Sequence, residues 1–171
     1  MKIFLLHTLL FSFCCFTEMN NICAQIKKPG IHAGVYGIFA KPQGSFANVY
    51  NFGGGVEGFG GVGWGNTFIV ASAALSAFSA KSSSYGTLTY VPVKAGFKQF
   101  FLKKHLFVNA DMGAAAVKNK LVNEPRFIRG IGAGIKLPGV EAAIYYGGWK
   151  NKGASGFSNS VEIKFGWSVL L

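Results

Sequence analysis

The chain has 171 residues, half of them apolar and 15% aromatic, with a formal net charge of +11. That aromatic content excludes a disordered chain, because disordered chains lack the apolar surface to collapse. After residue 24 no apolar run reaches the ~18 residues of a membrane helix; the nearest, Phe68 to Phe78, is broken by Ser72 and Ser76.

Residues 1–24 read as a signal peptide. Lys2 gives the positive start, Ile3 to Phe16 is apolar apart from His7, Thr8 and Ser12, and Ala24-Gln25 is the cleavage point. An uncleaved anchor is the alternative, but the run falls short of the ~20 residues that span a bilayer. Cys14, Cys15 and Cys23 all lie in this segment. The domain predicted over 25–171 is therefore cysteine-free, with no disulfide, thiolate nucleophile or cysteine metal site.

Eight strand-like segments follow, punctuated by Gly, Ser, Pro, Asn and Lys: about 30–40, 46–58, 67–79, 88–101, 105–117, 127–136, 140–148 and 159–170. Such lengths suit tilted membrane strands, and eight is the smallest common even number for membrane barrels. The connections over 60–66, 102–104 and 137–139 are mostly tight. Those over 41–45, 80–87, 118–126 and 149–158 are longer. Short periplasmic turns and longer external loops are expected of an outer-membrane barrel.

Alternation sets which face each residue takes, since successive strand side chains point to opposite sides. In the last segment Val161, Ile163, Phe165, Trp167, Val169 and Leu171 oppose Ser160, Glu162, Lys164, Gly166 and Ser168. In the fourth, Val91, Val93, Ala95 and Phe97 oppose Lys94 and Lys98. In the fifth, Leu106, Val108, Ala110, Met112 and Ala114 oppose His105, Asn109, Asp111 and Gly113. In the seventh, Val140, Ala142, Ile144 and Tyr146 oppose Glu141. In the second, Tyr50, Phe52, Val56, Val62 and Trp64 oppose Glu57, and in the sixth Arg129 opposes Ile128.

Pooling the charged faces places Glu57, Asp111, Glu141 and Glu162 in one interior set with Lys94, Lys98, Arg129 and Lys164. Of the six acids, Glu18 falls in the signal segment and Glu124 in a loop, so the other four all enter this set. Facing lipid, each cation would cost about 2–4 kcal/mol at the midplane, so the inverted register would lose on the order of ten kcal/mol. The bore of an eight-stranded barrel is just wide enough for side chains to fill. A matched ion network inside it predicts a plug with no continuous water channel.

The run Leu88-Thr89-Tyr90-Val91-Pro92-Val93-Lys94-Ala95-Gly96-Phe97-Lys98-Gln99-Phe100-Phe101, followed by Leu106-Phe107-Val108-Asn109-Ala110-Asp111-Met112-Gly113-Ala114-Ala115, resembles small outer-membrane β-barrel proteins of the OmpA/OmpX type. The resemblance is closest to the Bacteroidetes-like versions, whose signal peptide often ends in Ala-Gln, and it covers about residues 30–171. It implies an all-β, eight-stranded antiparallel up-and-down transmembrane β-barrel in the bacterial outer membrane, inserted by the barrel-assembly machinery through its C-terminal strand. It implies no catalytic residues and no cofactor. One departure is the terminal Leu171, where such proteins commonly carry an aromatic residue.

Gly58-Phe59-Gly60-Gly61-Val62-Gly63 fits the dinucleotide pattern G-x-G-x-x-G. That pattern requires a following helix, and β-patterned sequence follows instead. His32 and His105 both fall near the turn end, away from outer-leaflet lipid, and two histidines without clustered acids make no metal site. The basic surplus outside the bore includes Lys118, Lys120, Lys150 and Lys152 in the external loops, where lysine ammonium groups suit lipopolysaccharide phosphates. A nucleic-acid partner does not fit an exported barrel. The aromatics Tyr50, Trp64, Phe78, Tyr90, Phe101, Tyr146, Trp149 and Trp167 suit interfacial girdles. The expected function is a non-catalytic envelope protein with a structural or surface-interaction role. A periplasmic lipocalin-like binder and a lipid-modifying barrel enzyme are the alternatives.

Overall fold

The computed structural model describes residues 28–151 and 156–171; the proposed signal peptide and Lys152 lie outside them. The strands are β1 (Gly30–Pro42), β2 (Tyr50–Trp64), β3 (Thr67–Ala80), β4 (Leu88–Phe101), β5 (Leu106–Lys118), β6 (Asn123–Leu137), β7 (Val140–Lys150) and β8 (Phe157–Leu170), with one helical turn, α1 (Phe46–Val49), before β2. Each strand pairs antiparallel with its sequence neighbours, and β1 pairs with β8, so the sheet closes into a barrel. At the seam the Ile31 N–H donates to the Leu171 carbonyl at 2.9 Å, and the Leu171 N–H returns the bond at 2.8 Å. Closure leaves no unpaired edge, the condition a sheet must meet to face hydrocarbon.

Tight turns close one end of the barrel. β2 and β3 are joined by Gly65-Asn66, and β6 and β7 by Pro138-Gly139, with Gly65 and Gly139 at positive φ as such reversals demand. The β4–β5 turn is different: Leu102, Lys103 and Lys104 all take positive φ without being glycine. The connections over 43–49, 81–87 and 119–122 lie at the other end, where β7 ends and β8 begins.

Two elements begin elsewhere than their composition predicts. β2 starts at Tyr50 and continues to Trp64, past glycines that read as a turn from 60 onward. At Gly63 the strand has no room for a side chain: an added Cβ would collide with the Thr67 carbonyl and with Phe68 on β3. Residues 46–49 form α1 instead of strand, and Phe46 drops from it into the bore. β6 begins at Asn123, four residues before the predicted start at 127.

The interior is layered. At the loop end Phe46, Tyr50, Phe78, Tyr90, Ile128 and Trp149 pack into one apolar plug. At the turn end Phe68, Phe100, Phe107 and Ala143 form another. Charged and hydrogen-bonding side chains occupy the space between and beside them. The outer face carries Val93, Phe97, Val108, Ile144, Ile163 and Phe165, with Phe97 62% and Ile144 65% exposed while Lys98 is 4% exposed. A water-soluble lipocalin-like barrel requires the reverse arrangement, with its apolar side chains internal; this sidedness excludes it.

Candidate functional site

The bore holds two ion clusters, each built around one glutamate. Glu57 on β2 accepts from Lys94 of β4 and Lys164 of β8, both at 2.9 Å. Each lysine has a second acid nearby: Lys94 lies 3.8 Å from Asp111, and Lys164 lies 3.5 Å from Glu162. Tyr145 donates its hydroxyl to Asp111, and its ring sits under both ammonium groups, 4.8 Å from Lys94 and 4.0 Å from Lys164. A methyl group at Gly130 would occupy the place of the Tyr145 phenol, so the wall is bare where that ring passes.

Glu141 on β7 is the second hub and is fully buried. Lys98 donates to it at 2.5 Å, His32 Nε2 at 2.9 Å and Ser168 Oγ at 2.9 Å, and Tyr36 donates its hydroxyl to the same carboxylate. Lys136 lies 3.6 Å away and donates to Ser168 Oγ at 2.6 Å. His32 is enclosed edge-on by Phe59, Phe68 and Phe100, and its Nδ1 has no partner among the described residues. Lys98 sits over the Phe107 ring at 3.9 Å, so its charge meets a π-face on one side and a carboxylate on the other.

Of the interior set read from sequence, Glu57, Lys94, Lys98, Asp111, Glu141, Glu162 and Lys164 point into the bore and pair there. Arg129 does not. It lies on the outer face of β6 with Phe127, Ile131 and Ile135, while Ile128 is buried inside. Lys136, on the Ile128 face, takes the fourth interior cation position in its place. The local alternation Phe127, Arg129, Ile131, Ala133, Ile135, Leu137 outweighs the assumption that every mid-strand charge faces inward.

The proposed aromatic girdles also divide. Trp64, Phe101, Tyr146 and Trp167 are exposed on the outer wall, but Tyr50, Phe78, Tyr90 and Trp149 are buried in the loop-end plug. Tyr50 has the parity of the outer residues of β2; an irregularity between Tyr50 and Gly53 turns it inward. His32, Tyr36, Tyr145 and Ser168 were missed as network members. Their parity was the available signal: Tyr145 shares the face of Glu141, and Ser168 that of Glu162 and Lys164.

What remains open in the bore is small. A cavity of about 40 Å³ touches Tyr36, Glu57, Lys98, Asp111, Tyr145 and Lys164, and so borders both clusters. Another of about 10 Å³ adjoins Lys94 and Glu162. Such spaces suit isolated waters bridging polar groups. At the loop end Lys118, Lys120 and Lys150 are exposed. Lys120 donates to the Ser83 carbonyl at 3.0 Å, tying the β3–β4 and β5–β6 loops together. His105, exposed at the β4–β5 turn, is bonded at 2.9 Å to the Leu102 carbonyl.

No family model and no curated protein matches the sequence. Solved structures do match in shape. The barrel resembles Ail, the attachment invasion locus protein of Yersinia pestis, with a TM-score of 0.52 and 15% identity over 84% of this chain and 100% of that one. The backbone structure of the same protein in a phospholipid bilayer nanodisc gives 0.54 and 14% identity, covering 82% of this chain and 98% of the other. Neisserial surface protein A gives 0.53 and 12% identity, covering 82% and 96%. At these identities the likeness is one of architecture: the chain has the eight-stranded transmembrane fold of the small OmpA/OmpX-type barrels.

Proposed function

We propose that this protein is an integral outer-membrane barrel with a sealed bore, acting without catalysis at the cell surface through its cationic rim. One observation carries the reading: apolar side chains cover the outside while, Arg129 apart, the mid-strand ions meet inside. The tight turns then face the periplasm and the longer connections face outward, the arrangement expected for such barrels. Insertion would fall to the barrel-assembly machinery, engaging the alternating pattern of β8. A surface role is also what the names of Ail and NspA carry.

The sealed bore is supported by the two plugs and by the paired lysines between them. Planar-bilayer recordings of the purified protein should show no conductance above the lipid baseline, and a steady single-channel current would contradict the seal. At the rim, Lys118 and Lys150 end their strands on the outward face and Lys120 follows in the adjoining loop, which suits contact with lipopolysaccharide phosphates. Replacing Lys118, Lys120, Lys150 and Lys152 with Gln should lower the lipopolysaccharide that copurifies with the barrel; unchanged content removes the rim reading.

A non-catalytic role fits the histidines, since His32 is locked in the bore against Glu141 and His105 sits at the end away from the loops. Mass analysis of lipid A from cells with and without the protein should give identical profiles. A modified species that tracks with expression would favour a lipid-modifying enzyme instead.

A further inference from the structure

Arg129 is a cation on the apolar outside of the barrel, and its surroundings are built around it. It projects from β6 between Phe127 and Ile131. Its register partner on β7 is Gly148, and the partner of Gly148 on β8 is Asn159. Because Gly148 has no side chain, the row has a gap at its centre. The guanidinium crosses that gap, its carbon 4.1 Å from the centroid of the Phe157 ring. A Cβ at Gly148 would strike the Asn159 side-chain oxygen and the Ser158 carbonyl, closing the gap from below.

The result is an open recess of about 360 Å³ in the outer wall, bordered by Arg129, Ile131, Tyr146, Gly147 and Asn159. Among the described residues, no carboxylate lies within ion-pair distance of Arg129. Contact with the Phe157 ring holds the guanidinium, and no described residue takes its N–H groups, which are then available to grip phosphate oxygens in pairs. Lys150, two residues further along the outward face of β7, brings a second positive charge to the loop side. On the other side Ile131 and Tyr146 offer an apolar floor.

We propose that this recess is a binding site for one phosphorylated lipid of the outer leaflet, a lipid A-type molecule. Arg129 clasps the phosphate, the Asn159 amide adds a donor, and the first part of an acyl chain lies over Ile131 and Tyr146. The site rests on the orientation given under Proposed function, which puts the loop end in the outer leaflet.

The test titrates the purified barrel, in detergent, with lipid A, with dephosphorylated lipid A and with phosphatidylglycerol, counting bound lipid by native mass spectrometry. The wild type should hold close to one lipid A and discriminate against the other two. Arg129→Gln should weaken that binding about tenfold, the size of one charge-assisted contact. Gly148→Val should weaken it comparably by filling the gap that the guanidinium crosses. Circular dichroism and heat-modifiable gel migration check that each variant is folded, and Arg129→Gln alone decides if Gly148→Val is not. Equal binding by Arg129→Gln and wild type, or no preference for lipid A over either competitor, overturns the site. A Lys118→Gln/Lys120→Gln barrel separates the two ideas. If it loses copurifying lipopolysaccharide while Arg129→Gln binds normally, only the recess falls; if neither variant changes anything, the rim reading falls with it.

Discussion

The two ion clusters share a bore and a chemistry but differ in redundancy. Around Glu57 the charges form a mesh: three acids and two lysines, with each lysine reaching a second carboxylate. Around Glu141 they form a star: one carboxylate takes Lys98, His32, Tyr36 and Ser168, with Lys136 3.6 Å away, and neither lysine has another acid within ion-pair distance among the described residues. Removing one member of a buried pair is far more costly than the pair itself is stabilising, because the orphaned charge stays desolvated. A mesh spreads that loss and a star concentrates it.

The comparison breaks most sharply at Glu141. Glu141→Gln should destabilise the barrel by about 3–5 kcal/mol in equilibrium urea unfolding from lipid vesicles, since Lys98 is left without a counter-charge. Adding Lys98→Met should recover a substantial part of that loss, because the orphan cation is removed while its stem still packs on Phe107. A double variant no better than Glu141→Gln would mean that the hub acts through its hydroxyl donors instead.

Glu57→Gln should cost less, roughly 1–3 kcal/mol, since Asp111 and Glu162 remain for Lys94 and Lys164. A loss as large as that of Glu141→Gln in the same unfolding assay would show that the mesh offers no reserve. The smallest effect tests independence. The two hubs have no common hydrogen-bond donor, so the Glu57→Gln and Glu141→Gln losses should add to within about 0.5 kcal/mol. Strong coupling would point to the shared cavity as a bridge of ordered water.

The barrel was largely legible in the sequence because period-two patterning leaves only two registers, and hydrocarbon penalises one of them heavily. β4, β5, β7 and β8 each combine an apolar face with at least one charge, so both signals agree. On β6 they conflict. The inward face there is Ile128, Gly130, Gly132, Gly134 and Lys136, nearly without side chains, so alternation has little to set against the lone mid-strand arginine. Those glycines make sense only once Tyr145 and Phe107 are known to fill the space above them, which is a fact about neighbouring strands. The glutamate hubs were legible by parity, but the hydroxyl and imidazole donors that surround Glu141 come from β1 and β8, distant in sequence. The inward turn of Tyr50 depends on a local irregularity that alternation cannot encode.

Partners in these clusters come from far apart along the chain: His32 and Glu141 are separated by 109 positions, and Lys164 and Glu57 by 107. A half-finished sheet would therefore hold unneutralised lysines and carboxylates with nowhere but oil to put them. The bilayer should reject every such intermediate, so insertion and cylinder formation ought to proceed together, as a single concerted event. The internal salt would then act as a checkpoint on assembly as much as a filling for the finished cylinder.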